Sequence, residues 1–193
     1  MVRLVSCLWH RSVKFVTGAT VLACMAGAAH ATVIIPATLS QLTAEAVAIV
    51  VGRVVDIDTS WIDGRSAIET LVTVEADQYL KGNLGARVVF RVPGGEVGAF
   101  RNIVVGAPSF HRGEEVVLFL SAHGAGLPTV IGLSQGVFRV VTDRSSGRRL
   151  VTPPALLVRS EEPERIQRGS RARQPVPMEA FASEVRTLAA RRQ

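Results

Sequence analysis

From residue 47 onward the apolar positions fall in short runs separated by clusters of Gly, Pro, Asp and Ser. The clearest follows Gly106-Ala107-Pro108 and the charged turn Gly113-Glu114-Glu115, where Val116 to Leu120 is apolar without interruption. So short a run, bounded by turn chemistry, predicts a strand buried on both faces. Val47 to Val55 predicts a second buried strand, with Gly52 marking a bulge or sharp bend. Asp56 to Ser66 is polar; Trp61 lies just before Asp63-Gly64, a hairpin-turn signal. Ile68 to Leu80 alternates, with Ile68, Thr70, Val72, Val74 and Leu80 on one face, as a half-buried antiparallel strand does. Lys81 to Gly85 turns the chain, Val88, Phe90 and Val92 share a face, and Pro93-Gly94-Gly95 closes that strand. Residues 96–105 read as a ragged hairpin arm. Thr129–Leu133 and Gly136–Thr142 predict two strands around Ser134-Gln135, and after a turn at 143–149, Leu150-Val151 adds an edge.

Two segments carry helical spacing instead. Residues 38–46 predict a short helix capped by Ser40. Met178 to Arg192 places Met178, Phe181, Val185, Leu188 and Ala189 on one face, with Pro177 at its start and Arg191-Arg192 at its C-terminal end. Strands at roughly ten-residue spacing, with no helices between them, predict a mainly β chain closing into a small antiparallel barrel rather than a βαβ fold.

Composition changes this picture at the two ends. Residues 1–14 carry Arg3, Arg11 and Lys14, an apolar and small-residue run extends from Phe15 to Ala29, and Ala29-His30-Ala31 follows. That order predicts a signal peptide over 1–31, cleaved between Ala31 and Thr32. Val21-Leu22-Ala23-Cys24 offers a rival, a lipobox-like site that would anchor an envelope lipoprotein at Cys24. The run is too short and too rich in Gly and Ala for a comfortable membrane helix, and no transmembrane span is expected in the mature chain. Residues 159–177 are Arg, Glu, Gln, Ser and Pro with almost no apolar side chains, a polar linker between a domain at 32–158 and the helix at 178–193.

The formal charge of +6 is carried by those ends. Residues 1–31 and 159–193 each contribute +3, while residues 32–158 hold 11 basic and 11 acidic side chains. A neutral body lacks the clustered cations that phosphate binding requires, so no nucleic-acid partner is expected. Both cysteines, Cys7 and Cys24, precede Thr32, so the mature chain has neither a disulfide nor a thiol nucleophile.

Candidate chemistry is sparse. Gly132-Leu133-Ser134-Gln135-Gly136 matches G-x-S-x-G, but the nucleophile elbow needs a helix after it, and Val137 to Val141 reads as a strand; no His follows position 123 to serve as base. His111 and His123 are the only histidines after Ala31. With Glu114 they form the set for the alternative reading, a metal-assisted hydrolase, although no metal-ligand spacing accompanies them. Glu114 and Glu115 are neighbours on an extended chain, point to opposite faces and cannot flank one bond. Pro93 to Gly98 lacks the Lys and the helix of a phosphate loop and reads as a barrel corner. Neither catalytic residues nor a cofactor is therefore expected. Trp61, Phe100 and Phe110 fall in predicted loops, where aromatics either plug the ends of a barrel or form a recognition patch.

Three words in this sequence carry a family resemblance: Ala48-Ile49-Val50-Val51-Gly52-Arg53-Val54; Thr73 and Val74 followed by Tyr79-Leu80-Lys81-Gly82; and Phe110-x-x-Gly113-Glu114 leading to Leu118-Phe119-Leu120. In that order, over about residues 40–142, they resemble a group of uncharacterised secreted bacterial proteins and, more remotely, the OB-barrel of the tissue-inhibitor-of-metalloproteinase/netrin (NTR) superfamily. The resemblance implies an OB-like barrel. The inhibitors of that superfamily reach a protease zinc through an N-terminal Cys; Thr32 stands first here, so that activity does not carry over with the fold. The expectation is an exported, non-catalytic module that recognises a protein or cell-envelope ligand through barrel loops carrying Trp61, Phe100, Phe110 and His111.

Overall fold

A computed structural model describes residues 36–122, 124–155 and 174–191. The expected signal segment with Cys24, Ala31 and Thr32, the residue His123, and most of the expected polar linker lie outside the described residues.

The first helix, α1 (Leu39–Glu45), starts one step before the expected cap. Thr38 is its N-cap: the Thr38 hydroxyl accepts from the Gln41 N–H at 3.2 Å, and the Thr38 N–H donates to the Gln41 side-chain oxygen at 2.8 Å. Thr38-Leu39-Ser40-Gln41 satisfies the reciprocal capping pattern, which Ser40 does not.

The strand β1 (Ala48–Ile62) leads to β2 (Ala67–Lys81), and the two pair antiparallel along almost their whole length. The polar stretch 56–62, expected as a loop, is therefore strand. Its residues alternate between exposed and half-buried and pair with Ala67–Thr73, so one face is left to solvent. The turn comes at Asp63-Gly64-Arg65, with φ values of 50°, 64° and 73°. Beyond it lie β3 (Arg87–Pro93), the ribbon β4 (Gly95–Val97) and β5 (Phe100–Asn102), β6 (Glu115–Ser121), β7 (Thr129–Val130), β8 (Val137–Thr142), β9 (Arg149–Thr152) and β10 (Val176–Pro177). The expected strand at 129–133 is shorter because Gly132 and Leu133 both turn left-handed, at φ 60° and 58°, into a 3₁₀ turn over Leu133–Gly136. Leu150-Val151 is not an edge: β10 pairs Val176 with Val151 and Pro177 with Leu150, so strand structure resumes before the expected end of the linker. The C-terminal helix α2 (Met178–Ala190) follows with Pro177 as its N-cap.

The sheet runs β1-β2-β3-β7-β6-β8-β9-β10, with β1 also pairing β6. Those pairings return to their starting strand through β1, β2, β3, β7 and β6, with β3 and β7 joined by a parallel bridge between Arg91 and Thr129. The chain is thus mainly β, a strongly curled sheet with a short helix near the start of the described region and a helix at its end. An OB-like barrel is compatible with this circuit.

The closed circuit gives β1 and β6 two apolar neighbourhoods. Val50, Val54, Val116, Leu118 and Leu120 pack inward with Val72, Val74, Val88, Phe90 and Val92. Ile49, Val51, Val117 and Phe119 point the other way and meet Leu42 of α1 and Met178, Phe181 and Val185 of α2. Period-two alternation between two cores explains why Val116–Leu120 of β6, and β1 as far as Val51, read as unbroken apolar runs. Phe119, Phe138 and Phe181 form a file with ring centroids 5.2 and 5.0 Å apart, so α2 docks through the face expected from its spacing. Ala182 joins that face, while Leu188 and Ala189 are half-buried at its margin.

Candidate binding cleft

The corner at Pro93-Gly94-Gly95 throws the ribbon out of the main sheet. Gly94 and Gly95 have φ values of 88° and 143°; a side chain on Gly95 would strike Thr59 and Thr70 at 2.5 Å, and one on Gly94 the Asn102 carbonyl oxygen at 2.7 Å. Only glycine fits a corner this tight. The ribbon and the segment after it, residues 103–110, then stand off from the sheet and leave a cleft of about 320 Å³. Its floor is Ile57 of β1, Val72 of β2 and Val92 of β3; Asn102, Val104 and Ser109 stand on the opposite wall. A second hollow of about 260 Å³ adjoins it and shares Val92, Pro93 and Pro108; Leu133 and Val130 line its far side.

The expected aromatics divide. Phe110 lines the cleft, packs edge-on against Phe90 with centroids 5.4 Å apart and abuts the inner core, which is the plugging role. Trp61 is not in a loop but in β1, opposite Ile68. Its ring meets Phe100 of β5 edge-on, with centroids 5.5 Å apart. Phe100 remains 64% exposed. Sequence reasoning missed its companions Ile103 and Val105, exposed by 75% and 76%. The available signal was the apolar triplet Ile103-Val104-Val105 inside a segment bounded by Gly98 and Gly106, where strand alternation would have supplied polar residues.

His111 stands apart from the cleft, its side chain 81% exposed. Its Nδ1 is 3.9 Å from Glu114 Oε2, which also accepts the His111 backbone N–H. The other Glu114 oxygen lies 2.5 Å from Arg139 Nε. The structure brings His111 and Glu114 together, but both carboxylate oxygens have protein partners; His123 lies outside the described residues. Among the described residues no three His, Cys, Asp or Glu side chains gather around a common point. Glu115 pairs with Arg149, and Arg112 with Asp56.

Ser134 lies in the 3₁₀ turn, and β8 follows it directly, so the G-x-S-x-G match has a strand where the elbow needs a helix. The turn is fixed from three sides. The Ser134 N–H donates to the Gly106 carbonyl, the buried Gln135 side chain accepts from the Ala37 N–H at 2.6 Å, and a side chain on Gly136 would meet the Ile131 carbonyl at 2.6 Å.

No protein-family model, curated protein or solved structure matches this chain.

Proposed function

We propose that the chain is an exported, non-catalytic binding module that recognises a protein or cell-envelope ligand through the ribbon and the loop beside the cleft. The observation that carries this reading is the strip Phe100, Ile103 and Val105, three large apolar side chains left in water within six residues. Single exposed apolar residues need no explanation, but three within six residues, with Ile103 among them lining a cleft, are what a recognition surface looks like before it is covered. Two further features support it. The cleft is held open by glycine geometry rather than by mobile side chains, and the potential acid–base groups nearby are tied into ion pairs. The five-strand circuit is compatible with the OB-like reading; folds of that kind carry ligands on loops and one sheet face.

The test is a triple variant, Phe100→Ser, Ile103→Ser and Val105→Ser, compared with the wild type for retention of partners from envelope and medium fractions. Retention should fall at least tenfold while the thermal midpoint stays within a few degrees, because the three side chains are already exposed. Unchanged retention would remove the surface from consideration. N-terminal mass spectrometry of the exported product addresses the leader: Thr32 is expected as its first residue, and an acylated Cys24 would mark a lipoprotein instead.

A further inference from the structure

We infer that the 320 Å³ cleft is a saccharide subsite, taking a short, uncharged glycan segment. This deepens the binding-module reading and rests on it.

The argument is an inventory of hydrogen-bonding capacity. Thr70 has one hydroxyl proton and gives it to the Gly94 carbonyl oxygen at 2.7 Å. In the 3.2 Å contact between Thr59 and Thr70 the donor must therefore be Thr59, whose oxygen is left with lone pairs to offer. The Asn102 carboxamide and the Ser109 hydroxyl, both on the cleft wall, have no side-chain partner among the described residues. Each can donate and accept. Glu96 and Arg101 face each other at 3.8 Å, largely in water, and supply a carboxylate and a guanidinium whose charges cancel. Against these stand the half-buried apolar side chains of Ile57 and Phe110, backed by the buried Val72 and Val92. Neutral groups that both donate and accept, facing an apolar surface, match a sugar ring, which has hydroxyls at its edge and C–H groups on its faces. The volume is at the lower end of the ~300–1,000 Å³ range of small-ligand sites, which suits a short segment.

An extended peptide fits less well. Such a ligand binds by adding a strand to a sheet edge, so it needs a row of free backbone groups. Along this rim Pro93 and Pro108 have no N–H, the Gly94 N–H already donates to Ile68 O at 3.0 Å, and the ribbon strands β4 and β5, which pair only with each other, offer edges three residues long, which the peptide probe tests.

The experiment is a titration of the full chain, followed by amide NMR, with triacetylchitotriose and maltotetraose as saccharide probes and acetyl-Val-Thr-Val-Thr-amide as the peptide probe. At least one saccharide should shift the amides of Gly94, Gly95, Asn102 and Ser109. Asn102→Ala and Ser109→Ala should each weaken that saccharide about tenfold, the scale of one hydrogen bond lost from a bound ligand, with thermal midpoints unchanged. Shifts at those amides from the peptide alone would overturn the saccharide assignment and leave the binding-module reading standing. Saccharide shifts confined to other residues, or none from any probe, would also overturn it. The retention experiment is kept separate by repeating it with the Phe100→Ser, Val105→Ser double variant, which leaves Asn102, Ser109 and the cleft-lining Ile103 unchanged.

Discussion

A side chain on Gly52 would put its first carbon 2.2 Å from the Glu75 carbonyl oxygen and 2.7 Å from a Val74 methyl, in a buried strand where neither can retreat. Gly52→Ala should therefore cost about 1–3 kcal/mol in urea unfolding, by overpacking. Gly64, at φ 64°, has open space around it, so Gly64→Ala tests backbone strain alone and should cost about 1–2 kcal/mol. The Gly52 bend is legible in the sequence because a glycine inside an apolar run has few other uses. The cap at Thr38 is legible as well, once Gln41 is read with it. The fold alters the acidity of Asp143: the Ser146 hydroxyl, and then Ser145, hydrogen-bond its carboxylate and hold its pKa below the ordinary 3.8. A depressed folded pKa means this contribution to stability is present above the unfolded value and is lost as pH falls through the folded one. In an NMR titration Asp143 should have a midpoint below 3.8, and Ser146→Ala should move it upward; no movement would mean the hydroxyl is not the cause.

At the scale of elements, the strands easiest to read are those with two buried faces. In β6 the even positions Val116, Leu118 and Leu120 fill the inside of the curled sheet and the odd positions Val117 and Phe119 meet the helices, so no polar residue interrupts the pattern. The second half of β1 was illegible for the opposite reason. Asp56, Asp58 and Ser60 face water, and what makes the stretch a strand is its pairing with β2, a non-local fact that composition does not carry. The same holds at the cleft: Phe100, Phe110 and Trp61 were visible as aromatics near turns, but their separate roles depend on where the Gly94-Gly95 corner aims the ribbon. The helix α2 was legible in both existence and buried face. Phe181 is its anchor, buried against Phe138, and Phe181→Ala should cost about 3–5 kcal/mol in a denaturant melt. Leu188→Ala, at the half-buried margin, should cost clearly less; equal losses would mean that α2 is held by something other than this ring contact.

At the scale of the whole molecule, the register turns a neutral charge count into a pattern. Arg87 of β3 lies opposite Glu75 of β2, Glu75 opposite Arg53 of β1, and Arg53 opposite Glu115 of β6, which Arg149 of β9 caps with an ion pair. The signs alternate across the outside of the curled sheet. Equal numbers of acids and bases in residues 32–158 could be counted from the sequence, but their order across strands could not, because it depends on which residues the bulge at Gly52 brings into line. Directly opposed unlike charges each contribute a few tenths of a kcal/mol to about 1 kcal/mol, and like charges cost a similar amount. Glu75 has a cation on both sides, so Glu75→Lys replaces two attractions by two repulsions and should destabilise the chain by about 1–2 kcal/mol in 50 mM salt. Screening shortens from about 10 Å at 0.1 M to about 3 Å at 1 M, so most of that penalty should vanish in 1 M NaCl. Arg87→Glu added to Glu75→Lys restores an unlike pair on one side and should recover part of the loss at low salt, giving a coupling energy outside error in a double-mutant cycle. A penalty that persists at 1 M NaCl, or a cycle that is strictly additive, would show that the residues are aligned in register without interacting.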